Sequence, residues 1–470
     1  MDTIVTRFAP SPTGYLHIGG IRTALINYIL VNQSKKTNSD SKFILRIEDT
    51  DKKRSKKEYV NSIVEGLKWL GIEWDDQIYY QSKRISRHQE VALKLLETKN
   101  AYKCVCTQET INKLRIEKLK KNLNIKHLCE NCESNQDIQN LKENYCIRIK
   151  IPKNGNIFIN DIVQGNISVK NYEIDNYVIL RNDNSPTYML SVVVDDYDMQ
   201  VNTIVRGDDH LNNSFRQYYL YEYLGWKHPK YAHLPLIHGL DGSKLSKRHG
   251  AININEFKKI GYLPKAIINY LILLGWSPKK NNEIIEFNEI IDKFNIKDIS
   301  KSSSRFDYTK LNFLNNFYLQ QEDNFKDFEL FIKHNDSIKL YLNTNIEKIK
   351  DIYSAHKRKI KVFNELVEII KIYFDKEFVT QPNVVLDDNF NKILSKFFIQ
   401  LKTINNWNEN NIEICIKNFI KKENLKLSFF GKPLRHLLTN NKDGISLGLV
   451  MMILGKDLTI LRINNYLNNL

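Results

Sequence analysis

Apolar positions change period several times along the chain, and each change marks an element. Residues 3–9, "TIVTRFA", read as a buried strand, and a Pro/Gly-rich loop, "PSPTGYLHIGG", follows. Ile21, Ala24, Leu25, Tyr28 and Ile29 then recur at helical spacing and predict an amphipathic helix. "KFILRIEDTD" reads as a short buried strand with an acidic end. Tyr59, Ile63, Leu67 and Leu70 predict a second helix, stopped at Gly71. Strand, glycine loop, helix, strand, helix is how a parallel α/β nucleotide-binding fold begins.

From about residue 80 to 190 this rhythm breaks. A Lys-rich helical run, a cysteine cluster and short β-like pieces ("NYCIRIKIP", "VIL") read as an insertion. The α/β pattern resumes with "SVVV", which reads as a buried strand with an acidic end, then "TIVRGDDHL". "HLPLIHG" reads as one further strand leading into the loop "DGSKLSKRHGA". From about residue 320 the apolar spacing is almost wholly helical, with Asn-rich connections and no internal repeat. The predicted division is 1–80 with 186–245 as a split catalytic domain, 81–185 as an insertion, 246–320 as a linking domain and 321–470 as a helical region.

The chain has 470 residues, 42% of them hydrophobic, enough for several cores. No run approaches the ~18 consecutive apolar residues of a membrane span, and the N-terminus has no secretory or import pattern. A soluble cytoplasmic protein is expected. The net charge of +16 favours a polyanionic partner, although a bias towards Lys, Asn and Ile gives the same balance. Six cysteines in such a chain do not make a disulfide framework. Cys104, Cys106, Cys129 and Cys132 offer two close thiol pairs, suited to a structural Zn²⁺; four reduced thiols without metal are the alternative.

Two segments carry phosphate chemistry. In "APSPTGYLHIGG" the glycines let backbone approach a ligand, and the loop ends at a helix N-terminus that attracts anions, with His17 in the turn. In "KLSKR", two ammoniums and a guanidinium on a glycine-flanked loop can close over a triphosphate. Alone, the first fits an ordinary turn and the second a solvated basic loop. Together, about 225 residues apart, they resemble the "HIGH" and "KMSKS" motifs of class I aminoacyl-tRNA synthetases. With "RIEDTD", "PTYMLSVVVDDYDM", "RGDDHLNN", "GYLPKAIINYLILLGWS", "SRFDYTKLNFLN" and "GKPLR", the chain resembles the bacterial-type glutamyl-tRNA synthetase family over nearly its whole length.

That resemblance implies an α/β, Rossmann-like catalytic domain with an inserted acceptor-binding domain, then a stem-contact domain at 246–320 that carries the KMSKS-type loop, then an all-α anticodon-binding region. It implies a monomer that ligates L-glutamate to tRNA-Glu, using ATP and Mg²⁺. Arg7, Ala9, Ser11, Glu48, Tyr188 and Arg206 match glutamate-binding positions. His17, Gly19, Gly20, Asp209, Lys244, Leu245, Ser246, Lys247 and Arg248 match ATP-binding positions, with His17, Lys244 and Lys247 in the catalytic role. Cys104 and Cys106 match a zinc pair of the family; in the second half some members carry one Cys and one His, where this chain offers Cys129 and Cys132, so His127 competes with either as a ligand. Other readings remain open at this point: a synthetase that charges tRNA-Gln with glutamate, a catalytically silent RNA-binding scaffold, and a nucleotidyltransferase sharing the α/β fold.

Overall fold

The computed structural model describes residues 3–468 except 123, 127, 244, 246–252, 279–282, 322–323, 336–337 and 382–387. They form two compact units, 1–257 with 267–308, and 258–266 with 309–470.

The first unit is α/β. Strands Val5–Phe8, Lys42–Ile47 and Asp75–Tyr80 form a parallel sheet with Lys42–Ile47 in the middle. Strands Thr203–Gly207, Lys230–Leu234 and Asn156–Asp161 run parallel, and Gly165–Lys170 closes that sheet as an antiparallel hairpin with Asn156–Asp161. The two sheets meet at Val5, whose N donates to Asn202 Oδ1 (3.1 Å) and whose O accepts from Asn202 N (3.1 Å). From this junction chain order runs outward through Lys42–Ile47 and Asp75–Tyr80 on one side and from Thr203–Gly207 to Lys230–Leu234 on the other, with the earlier hairpin 156–170 added beyond. A crevice therefore opens at the strands' C-terminal ends, the usual ligand position in such sheets. Val5, Ile44, Ile204 and Tyr231 of the strands share one core with Leu190, Val193 and Val194.

Within 81–185, strands Ala101–Cys104, Cys146–Ile149 and Val178–Leu180 form a separate antiparallel sheet. The hairpin 156–170 from the same stretch instead joins the parallel sheet described above.

Two sequence expectations are corrected. "SVVV" is not a strand; it lies in the helix Tyr188–Asp198. Every residue from Leu190 to Asp196 is buried, so no polar stripe exposes the helical period, and packing overrides the β preference of three valines. "HLPLIHG" is not one strand either. It splits into the end of Lys230–Leu234 and the short Ile237–His238, around Pro235, which has no N–H to give a ladder.

The second unit is helical among its described residues, from the helix Phe325–Lys333 to Lys456–Asn468. Gly261 (φ 91°) lets its backbone close on Phe363; its O accepts from Phe363 N (3.1 Å), and a Cβ there would lie 2.5 Å from Phe363 Cβ. Buried Arg462 donates to carbonyls at the C-terminal ends of two helices, Ile372 O (2.5 Å) and Leu438 O, and to Asp375 O (2.8 Å). A cation is favoured there, because unpaired carbonyls collect at a helix C-terminus.

Candidate active site

The crevice at the junction encloses about 630 Å³. It is lined by Arg7, Ala9, Ser11, His17, Gly19, Gly20, Glu48, Tyr188, Arg206 and Asp209. Five segments supply these residues: the first strand and its loop, the start of helix Ile18–Lys35, the end of the second strand, the start of helix Tyr188–Asp198, and the strand Thr203–Gly207 with its following turn.

At the phosphate-suited end, the helix Ile18–Lys35 opens at His17, whose Nδ1 accepts from Gly20 N (3.1 Å). An accepting Nδ1 places the neutral ring's proton on Nε2. The first turn holds no acid, so the helix N-terminus keeps its pull on anions. A Cβ on Gly19 would lie 3.2 Å from the His17 ring, and one on Gly20 3.1 Å from Leu16 Cδ1. Gly19 thus leaves room for the capping histidine, and Gly20 for the buried Leu16 beneath it.

The amino-acid end is a buried charge network. Asp196 accepts from Arg7 Nε (3.1 Å) and Arg46 Nη1 (2.6 Å), and Arg46 Nη2 donates to Glu48 Oε1 (3.2 Å). Glu48 is therefore both paired to Arg46 and a wall of the crevice. Burial raises its pKa against the opposing pull of Arg46 and Arg7. Burial, then the Glu48 charge, raises the Tyr188 phenol; its hydroxyl lies 3.3 Å from His210 Nδ1.

Arg206 is 6% exposed, and its neighbours are neutral. Nε donates to His233 Nε2 (3.1 Å), and Nη2 to Ser214 Oγ (2.7 Å) and Gln217 Oε1 (3.2 Å). Nη1 is buried without a partner among the described residues. An orphaned guanidinium N–H is costly unless something fills it, and a carboxylate is the natural acceptor.

Leu245 is the one described residue of the basic motif; Lys244, Ser246, Lys247 and Arg248 lie outside the described residues. The described flanks of that loop do reach the crevice. Ile237 lines it, and Asn253 forms a β-bridge with His17.

Asp196, Arg46, His233, Asp161, Ser214 and Gln217 escaped sequence reasoning as site residues. Asp196 and Arg46 stood in quoted motifs but had no visible mutual spacing. His233 and Asp161 are 72 residues apart and meet only through sheet pairing.

Away from the crevice, Cys104, Cys106 and Cys132 place their sulfurs within 4.8 Å of one another, and Cys106 and Cys132 are 3.4 Å apart. Zn–S bonds of about 2.3 Å in a tetrahedron separate sulfurs by roughly 3.8 Å, so this set fits zinc. Cys129 is buried in the same cluster, against Cys104, outside that triplet. His127 lies outside the described residues. Hydrogen bonds from Cys129 and then Cys146 hold the Cys104 thiol far below its ordinary value despite burial. A thiolate is the form a metal takes.

The family model "tRNA synthetases class I (E and Q), catalytic domain" matches residues 3–313, and "Anticodon binding domain" matches 325–467. A glutamate–tRNA ligase 2 of Wolbachia pipientis subsp. Culex pipiens is 40% identical over 98% of this chain and 99% of its own. One from Ehrlichia chaffeensis is 41% identical over 98% of each. The crystal structure of a glutamate tRNA ligase from Elizabethkingia meningosepticum, in complex with its amino acid, superposes with a TM-score of 0.85 at 28% identity, covering 100% of both chains. A match of both catalytic and anticodon-binding models in this order, with full-length relatives at this identity, leaves the silent-scaffold and nucleotidyltransferase readings without support. The chain belongs to the glutamate–tRNA ligase family of class I tRNA synthetases.

Proposed function

We propose that this chain ligates L-glutamate to tRNA-Glu in two steps. A glutamate carboxylate oxygen attacks the α-phosphorus of ATP, which enters as its Mg²⁺ complex, and pyrophosphate leaves. A 2′-hydroxyl of the tRNA's terminal adenosine then attacks the carbonyl of the glutamyl-adenylate, and AMP leaves. No protein nucleophile is required; the enzyme positions reactants and stabilises charge.

One observation carries this reading: a single crevice presents the buried Arg206 with an orphaned N–H, the buried Arg7, the Glu48 acid and the His17-capped helix N-terminus. Glutamate needs guanidinium donors for its carboxylates and an acid for its ammonium. In this reading Arg7, Ala9, Ser11, Glu48, Tyr188 and Arg206 hold glutamate. His17, Gly19, Gly20, Asp209 and the basic motif 244–248 hold ATP. Residues 81–185 meet the acceptor end and 321–470 the anticodon; the match to the anticodon-binding model supports the second. Cys104, Cys106 and Cys132 with a fourth ligand hold a structural Zn²⁺, which would make that fold rigid. A cytoplasmic monomer rests on the family resemblance. Among the described residues, no helix is long and apolar enough to cross a membrane.

The test is charging of purified tRNA-Glu and tRNA-Gln in parallel, with ATP, Mg²⁺ and labelled glutamate, on protein assayed for bound zinc. Label on tRNA-Glu alone is expected. Label on tRNA-Gln as well keeps the chemistry but broadens the tRNA choice. No label on either, with folded protein, would overturn the proposal.

A further inference from the structure

Arg7 and Arg206 enter the same crevice but are held in different ways. Arg7 is paired directly with a carboxylate, Asp196 (3.1 Å). Arg206 hydrogen-bonds only to neutral groups among the described residues: His233, Ser214 and Gln217. Behind His233 lies an acid. Its Nδ1 is 2.6 Å from Asp161 Oδ2, and both side chains are fully buried.

The proton positions follow from donor chemistry. A guanidinium Nε–H only donates, so His233 Nε2 must accept. The neutral ring then carries its proton on Nδ1 and donates it to Asp161. The Asp161 carboxylate is fixed in turn by backbone donors, Val163 N (2.9 Å), Gln164 N (2.8 Å) and His233 N (3.1 Å). Strand pairing places the chain of contacts, with Arg206 opposite His233 and Tyr231 opposite Asp161.

We infer that His233, locked in one tautomer by Asp161, is a positioning residue that aims the Arg206 guanidinium at a glutamate carboxylate without neutralising it. A carboxylate in direct contact with Arg206 would hold it equally well but would compete with the substrate for its charge. A neutral imidazole acceptor fixes the plane of the guanidinium and leaves Nη1 and the full charge to the substrate. The acid sits one residue further back, where it selects the tautomer. The inference rests on Arg206 being a glutamate-binding residue.

The test is a double-mutant cycle read in steady-state aminoacylation. His233→Leu removes the acceptor and is expected to raise the glutamate KM about 10–100-fold. The ATP KM and kcat should stay within about twofold. His233→Gln, whose side-chain oxygen again gives Arg206 an acceptor, should recover most of the loss. In an Arg206→Ala background, His233→Leu should add almost nothing. If His233→Leu does not fold, Asp161→Asn takes its place; a raised glutamate KM with an unchanged ATP KM is expected there too. Unchanged glutamate KM in the folded His233 and Asp161 variants overturns the inference, as does an effect of equal size with and without Arg206. An Arg206→Ala enzyme with normal glutamate KM would instead sink the reading of Arg206 itself.

Discussion

Asp196 shows how much one residue organises. It is fully buried and accepts from Arg7 and Arg46 at once, so removing its charge strands two buried guanidiniums. Asp196→Asn is expected to cost about 3–5 kcal/mol of stability, the usual range for breaking a buried pair from one side. Urea unfolding measures it, and a loss under about 1 kcal/mol would contradict the network. The side chains of this wall were partly legible in sequence. Glu48 and Arg46 stand two apart in "RIEDTD" and its preceding strand, so their pairing was foreseeable. Asp196 was not, because its helix was read as a strand and its partners lie 150 and 189 residues away.

At the scale of elements, the His17 turn combines two roles that substitution can separate. Nδ1 caps the helix Ile18–Lys35, which leaves the ring's proton on Nε2, the atom that would donate to phosphate. Asn is among the best N-cap residues, so His17→Asn should keep stability within about 0.5 kcal/mol, whereas His17→Ala should lose about 1 kcal/mol. Both should lower kcat more than tenfold if the ring meets phosphate. A fully active His17→Asn enzyme would reduce His17 to a cap. Elements with a one-sided apolar face, such as the helices of the second unit, were readable from their period. The helix Tyr188–Asp198 was not, because a helix buried all round has no polar stripe. The strand break at Pro235 was visible as a residue but not weighed against the β-favouring run around it.

At the scale of the whole molecule, the two units need not respond alike to acid. In the second unit, burial first and Lys359 second lower the His356 pKa to about 4, against about 6.5 in an unfolded chain. Between these values the unfolded state binds more protons, so stability rises with pH. That contribution is fully present above about pH 6.5 and is lost as pH falls towards 4, by about 1–2 kcal/mol after allowance for partial exposure. Melting of the second unit between pH 4 and 7 reads it out. His356→Gln should flatten the slope, and an unchanged slope would assign the loss to other groups. The α/β-then-helical layout was legible because the last of the period changes, near residue 320, leaves only helical spacing after it. The tertiary partners of Arg206 were not, since sheet order brings together residues that share no local pattern.

The hairpin 156–170 has a consequence for how such chains can be recombined. By chain order it belongs to the stretch 81–185, but by hydrogen bonding it is an outer pair of strands in the sheet that carries Arg206. A swap of the entire stretch between relatives would replace Asp161 together with the surface meant to be exchanged. Two crossover points, one before Ala101 and one between Ile149 and Asn156, would transplant two strands of the antiparallel sheet with the cysteine cluster and leave Asp161 in place.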